Sequence, residues 1–192
     1  MFKFSKAFKL TKQVYRKIKS NKIPFKYEYY YNNYSIIYLF QRKTNERVEK
    51  FLYNALELTS SILERAMILS NLLIHFVFKK KYEKCHEILK ELDELEYLKF
   101  SNERIKYAIL TNALFFYKKI NNKENIEKIN SILREILNSP GCSQEMIEII
   151  KYQLGESNNV SSSFKHVVDL GYKPARIGYY TFDDSINLIN DY

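Results

Sequence analysis

Glycine and proline are scarce in this chain, with 4 Gly and 3 Pro among 192 residues. Both residues punctuate secondary structure, so their scarcity predicts few tight turns and long helices. Tryptophan is absent, and there are only two cysteines, Cys85 and Cys142. No CxxC and no Cys/His pair at metal-ligand spacing occurs, so no metal site is expected. Two free thiols are the ordinary state of a reducing cytosol. No run of 18 apolar residues exists, which argues against a transmembrane segment. The N-terminus is basic but lacks a continuous apolar core and a small-residue cleavage site, so no secretory signal is expected. A cytoplasmic location follows as the expectation.

Catalytic signatures are also missing. There is no Gly-rich phosphate loop, no HExxH and no GxSxG. The three histidines are His75, His86 and His166. His75 stands between Ile74 and Phe76 and reads as a packed core residue. Cys85 and His86 are adjacent, which on a helix separates them by about 100° and makes a poor nucleophile–base pair. No arginine lies four to six residues from a histidine, as some nuclease chemistry needs. Asp183-Asp184 is explained by capping a short helix. The expectation is a protein that is not an enzyme and carries no cofactor.

Acid is absent from the first 27 residues, which hold Lys3, Lys6, Lys9, Lys12, Arg16, Lys17, Lys19, Lys22 and Lys26. The net charge of +9 is located there, because residues 28–192 hold 22 basic and 22 acidic side chains. Attraction to an anionic partner should therefore concentrate in this arm. Phe4, Ala7, Phe8, Val14, Tyr15 and Ile18 fall at helical spacing, with lysines opposite, predicting a basic amphipathic helix within residues 1–24. Lys3, Lys6, Lys9, Lys12, Arg16, Lys17 and Lys19 are its candidate contacts to nucleic acid, anionic lipid or an acidic protein. The plainer alternative packs the apolar face on the body and leaves the lysines solvated. The turn Asn21-Lys22-Ile23-Pro24 lacks the spacing of a helix-turn-helix.

What the chain has in quantity is helical patterning. The tyrosine-dense run 27–41 is compatible with a strand but reads as a helix, because a second helix follows directly after Arg42-Lys43-Thr44-Asn45. Thr44 or Asn45 can cap that second helix, with Val48, Phe51, Leu52, Ala55 and Leu56 on one face. Further helices are predicted over 62–79, 82–97, 102–119 and 123–138, with Ser101 capping the third of these. Ser139-Pro140-Gly141 is the strongest break. Ser143 caps one more helix to about Leu154, closed by Gly155. Residues 156–163 read as an exposed polar loop, 164–170 as a short helix and 177–182 as extended. Residues 171–192 read as an element folded over the end of a stack.

One pattern occurs twice. Arg65-Ala-Met-Ile-Leu-Ser-Asn-Leu-Leu-Ile-His-Phe returns 41 residues later as Lys106-Tyr-Ala-Ile-Leu-Thr-Asn-Ala-Leu-Phe-Phe-Tyr. Ile68-Leu69 matches Ile109-Leu110, Ser70 matches Thr111, and Asn71 matches Asn112. Such a period marks stacked repeats. The pairs resemble degenerate tetratricopeptide repeats over residues 28–155. Asn71 takes the sixth place, Leu72 the Leu place, Phe76 the aromatic place of the first helix and Tyr82 that of the second. Cys85 stands where the family has a small Ala. Asn112, Ala113, Tyr117 and Ile126 match in the second copy. Leu73 and Leu114 replace the family's small residue, Lys123 replaces an aromatic, and the period is 41 rather than 34.

The resemblance implies an all-α, right-handed array of about four antiparallel hairpins, a TPR-like α-solenoid. It would comprise a basic helix (1–24), the repeats (25–155) and a loop with an irregular cap (156–192). In that family the sixth place faces the concave wall, where Asn holds an extended peptide backbone. An amide offers both donor and acceptor, so it satisfies a peptide group whatever its side chain. Asn71 and Asn112 would form a ladder of such contacts, with Ser70 and Thr111 shaping pockets and Arg65 and Lys106 adding charge. The structural alternative is an interior Asn bonding a neighbouring helix, with Arg65 and Lys106 merely solvated. The expected function is a protein- or peptide-binding adaptor, regulator or assembly subunit. The alternative is a nucleic-acid accessory protein acting through its arm.

Overall fold

The computed structural model describes residues 27–158 and 170–175, together with Lys9, Gln13 and Arg16. The basic helix expected within 1–24 apart from Lys9, Gln13 and Arg16, the short helix expected at 164–170 apart from Leu170, and the extended 177–182 lie outside the described residues. Among those described there are seven α-helices and no strand. They are α1 (Tyr27–Phe40), α2 (Glu46–Leu58), α3 (Ile62–Phe78), α4 (Tyr82–Glu94), α5 (Glu103–Lys119), α6 (Lys123–Leu137) and α7 (Gln144–Gln153). A 3-10 turn, Tyr97–Lys99, follows α4.

The tyrosine-dense run is helical, and its spacing says why. Tyr30, Tyr34 and Tyr38 recur every four residues and so share one face. Phe51 of α2 inserts beside them, 5.0 Å from the Tyr31 ring and 5.3 Å from that of Tyr34. Arg47 lies over the rings of Tyr34 and Phe51 at 5.3 and 5.1 Å. An aromatic cluster with a cation on its rim thus closes the first hairpin.

Helix starts follow side-chain capping. Asn45, not Thr44, caps α2, its Oδ1 accepting from the Val48 N–H at 3.0 Å. Ser61 caps α3 and Ser143 caps α7. At α5 the expected cap, Ser101, is one residue too early. Asn102 takes the position and accepts from the N–H groups of Arg104 and Ile105 at 3.1 and 3.2 Å. The helix expected to reach residue 97 stops at Glu94, because Glu96 turns left-handed at φ 53° and tucks Tyr97 inside.

Scarce glycine leaves most helix ends to other residues. Arg42, Lys80 and Asn121 are left-handed, at φ 53°, 56° and 54°. Each is followed by a bond back to the carbonyl five residues earlier: Lys43 to Tyr38, Lys81 to Phe76 and Asn122 to Tyr117, all 3.0 Å. These are Schellman closures, and among the seven described helices glycine supplies one after α7, Gly155 at φ 74°. A side chain in this backbone region costs about 1–2 kcal/mol, partly offset in glycine by its freer unfolded state. Lys80→Gly is therefore expected to raise stability by about 0.5–1 kcal/mol, seen as a thermal midpoint higher by roughly 1–4 °C. A lower midpoint would show that Lys80 contributes contacts beyond its backbone.

The helices form hairpins α1–α2, α3–α4 and α5–α6, and α7 packs on α6. The first helices adjoin in the order α1, α3, α5. Helix α3 buries 13 of its 17 residues, while α4 and α6 bury one narrow face each, which makes α3 the centre of the core. Leu69, Leu72, Leu73, Ile74 and Phe76 are almost wholly inaccessible there. A helix apolar all round is stable only when surrounded, and α1, α2, α4 and α5 surround it.

Candidate functional site

Asn71 is halfway along α3 and Asn112 is at the matching place on α5; both are wholly buried. Each amide grips the backbone of an extended segment of the same chain. Asn71 Oδ1 accepts from the Ala175 N–H at 2.7 Å, and Nδ2 donates to the Ala175 carbonyl at 2.7 Å. Asn112 Oδ1 accepts from the Lys173 N–H at 2.6 Å, and Nδ2 donates to the Lys173 carbonyl at 3.0 Å. The second Nδ2 hydrogen of each amide goes to a neighbouring helix. Asn71 donates to Asn32 Oδ1 at 2.8 Å, and Asn112 to Ser70 Oγ at 2.7 Å. Both amides are thus satisfied within the chain, each by a neighbouring helix and by one residue of the 172–175 segment.

The spacing has a physical basis. Packed helices lie roughly 8–10 Å apart, and alternate residues of an extended chain lie about 6.6 Å apart on one edge. With the two amides leaning toward each other over the groove, the pair holds residues 173 and 175, i and i+2 of the segment. The residue between them, Pro174, has no N–H that would point away unsatisfied.

Asn32 of α1 is a third member that the repeat pattern does not reveal. It is fully buried and donates to the Ala175 carbonyl at 3.0 Å. Counted back from the helix end, Asn71 and Asn112 precede Phe78 and Lys119 by seven residues, whereas Asn32 precedes Phe40 by eight. That offset hides it from an alignment of copies. Its signal was an amide inside a run otherwise tyrosine-rich.

Side chains of the segment are seated too. Tyr172 is 1% exposed, donates its hydroxyl to the Leu39 carbonyl at 2.7 Å, and packs at 5.2 and 5.0 Å against Phe78 and Phe115, whose rings also touch each other. Burial pushes its phenol up to about 12. Gly171, at φ 74°, turns the chain into this seat with its α-carbon facing the Phe115 ring. The described part of the C-terminal element thus crosses α1, α3 and α5 instead of covering one end of the stack.

Lys173 is half-buried, with Nζ 4.8 Å above the Tyr107 ring. Burial holds its ammonium down to about 8; Arg104 adds to the depression and Glu145 opposes it. A lysine depressed in the docked state penalises docking while protonated, fully below pH 8, and the penalty fades between pH 8 and its ordinary 10.5. Lys173→Met should therefore be more stable than wild type at pH 7, by about 1–2 kcal/mol after allowance for partial exposure. The difference should shrink by pH 10 in parallel denaturant titrations. A difference independent of pH would remove the buried charge as its cause.

The other expected site residues divide. Ser70 is buried and serves Asn112 rather than a pocket. Thr111 is buried at the corresponding place one copy later. Arg65 pairs with Glu91 of α4 and Lys106 with Glu103 of its own helix at 2.8 Å, so the structure places neither charge against the clamped backbone. Six residues on a helix turn about 240° from the Asn, which carries the arginine to the side facing α4. Of the basic arm, Lys9 and Arg16 are described, both exposed; Lys3, Lys6, Lys12, Lys17 and Lys19 lie outside the described residues.

His75 is in the core, as expected, but as a polar bridge. Its ring bonds Thr44 Oγ1 through Nδ1 at 2.5 Å and Glu49 Oε2 through Nε2 at 3.1 Å. Burial holds its pKa below the ordinary value against the pull of Glu49. Neutral His75 fits the geometry, with Nε2–H donating to Glu49 and Nδ1 accepting from Thr44. Burial raises Glu49, but His75 and Lys79 outweigh it and leave the carboxyl lowered. The unfolded histidine binds protons more readily, so stability is full above about pH 6.5 and falls as pH drops below it. His75→Phe is expected to flatten that acid limb in thermal unfolding between pH 7 and 5; an unchanged slope would assign it to other groups.

Among the described residues no group of three His, Cys, Asp or Glu side chains is placed to hold a metal ion, and no helix is long and apolar enough to cross a membrane. Comparison with protein-family models, with curated proteins and with solved structures returns no match for this chain.

Proposed function

We propose that this chain is a protein- or peptide-binding module, built as a right-handed TPR-like α-solenoid, that acts as an adaptor, regulator or subunit of a larger assembly. Its working surface is the layer of first helices α1, α3 and α5, and its ligand is a polypeptide in extended conformation. One observation carries the reading. Asn71 and Asn112 each make a reciprocal pair of hydrogen bonds to one residue of an extended backbone, two residues apart. That grip reads main chain and register without reading side chains, which is how an array holds a strand-like ligand. Residues 28–192 balance 22 basic against 22 acidic side chains, so shape and amide contacts, more than long-range attraction, would set affinity.

The test is an array of overlapping peptides from the source proteome, probed with wild type and with Asn71→Ala/Asn112→Ala. The expected result is a set of peptides captured by wild type and lost by the double variant. Arg65→Ala, which lies off the clamp, should retain them. Equal capture by the double variant would sink the proposal.

A further inference from the structure

We infer that residues 172–175 are a tethered ligand: the groove over α1, α3 and α5 accepts a peptide of the pattern aromatic–X–Pro–small, and Tyr172-Lys173-Pro174-Ala175 occupies it until such a peptide arrives in trans. This rests on the peptide-binding reading above and adds to it the chemistry of the ligand and a built-in competitor.

Each place in the pattern has its own cause. The first is a seat on the touching Phe78 and Phe115 rings, with the Leu39 carbonyl within reach of a hydroxyl. A ring packs on that pair, and a phenol hydroxyl adds a second hydrogen bond to the Leu39 carbonyl, which already accepts from the Arg42 N–H at 2.8 Å, so tyrosine gains one bond over phenylalanine. The third place lies between the two gripped residues, where an N–H would find no amide and proline needs none. The fourth is held on both backbone groups by Asn71 and is only 7% exposed, which leaves room for a small side chain. The second is gripped by its backbone through Asn112 while its side chain lies on Tyr107.

That second place is where the chain's own segment is a poor ligand. Lys173 puts an ammonium on a buried ring with Arg104 beside it, and the carboxylate acting on it, Glu145, belongs to α7. A trans peptide with an uncharged, long side chain there keeps every backbone bond and avoids burying a charge. The tether gives the poor cis ligand an effective concentration in the millimolar range, enough to hold the groove against weak competitors and yield to a better one.

The experiment uses the full chain and a fluorescein-labelled octapeptide copying residues 169–176, Asp-Leu-Gly-Tyr-Lys-Pro-Ala-Arg, followed by anisotropy. Tyr172→Ala, which loosens the tethered copy, is expected to bind the peptide at least tenfold more tightly than wild type. A peptide with methionine in place of lysine should bind more tightly still at pH 7, and one with alanine in place of tyrosine should not bind. Adding Asn71→Ala and Asn112→Ala to the Tyr172→Ala chain should remove binding. Equal affinity of wild type and a folded Tyr172→Ala chain, or indifference to the peptide's tyrosine, overturns the tethered ligand. If array peptides of another pattern still bind through the two asparagines, the module survives that result. Should Tyr172→Ala fail to fold, amide exchange in wild type decides. The Lys173 and Ala175 amides must exchange by an opening that leaves α3 and α5 protected, and exchange only on global unfolding overturns the proposal.

Discussion

Replacing Asn71 and Asn112 together by alanine is expected to release residues 172–175 from the helices and to lower stability by about 2–4 kcal/mol. If the segment stayed in place, the Lys173 N–H and carbonyl and the Ala175 N–H would lose their amide partners, as would Asn32 Oδ1. Each buried polar group left unpaired costs about 1–3 kcal/mol, and four such groups exceed what docking one tyrosine and a few backbone bonds can supply. The segment therefore leaves, and the loss is capped at its docking free energy. The measurement is a pair: denaturant unfolding for the loss, and the Lys173 and Ala175 amides for its location. Those amides should exchange like open chain while the α3 backbone stays protected. Continued protection in the double variant would mean that other contacts hold the segment. Uniform loss of protection through α3 would make the two amides part of the core's own integrity.

Phe116→Ala is expected to cost more, about 3–5 kcal/mol, with a thermal midpoint lower by roughly 10 °C. Phe116 is wholly buried and corresponds, 41 residues on, to His75. Both positions do the same mechanical job, joining the first helix of one hairpin to the second helix of the hairpin before it. Phe116 meets His86 of α4 at 5.1 Å and Tyr82 at 6.1 Å. His75 reaches Glu49 of α2 and the Thr44 just before it. One joint is apolar and the other polar, and truncating the apolar one leaves a cavity that two stacked helices cannot both collapse into. A loss below about 1 kcal/mol would show that the hairpins are coupled elsewhere.

Much of the helical framework was legible because its causes are local. The periodic apolar faces place α2 to α7 within a few residues, and Asn45, Ser143 and Gly155 perform the capping that their types predict. The misses are local too, but competitive. Asn102 outbids Ser101 because it stands one residue nearer the helix. Glu96 ends α4 early by adopting a left-handed turn that no glycine advertised. Three hairpins and α7 are described, against the four pairs expected, since a partner for α7 is not among the described residues.

The site divides along the same line. By itself, the sequence determined that Asn71 and Asn112 are equivalent, because a 41-residue period repeats the same helix face wherever it occurs. It also determined that an amide there can serve as donor and acceptor at once. Only the tertiary structure decided what they hold. Their partners lie 61 and 104 residues away along the chain, and no periodicity encodes a contact at that separation. The same is true of Asn32, two residues past the place the 41-residue period assigns, and of Tyr172, whose seat exists only once α1, α3 and α5 are side by side. Local pattern sets which side chains point inward; packing sets which distant backbone they meet.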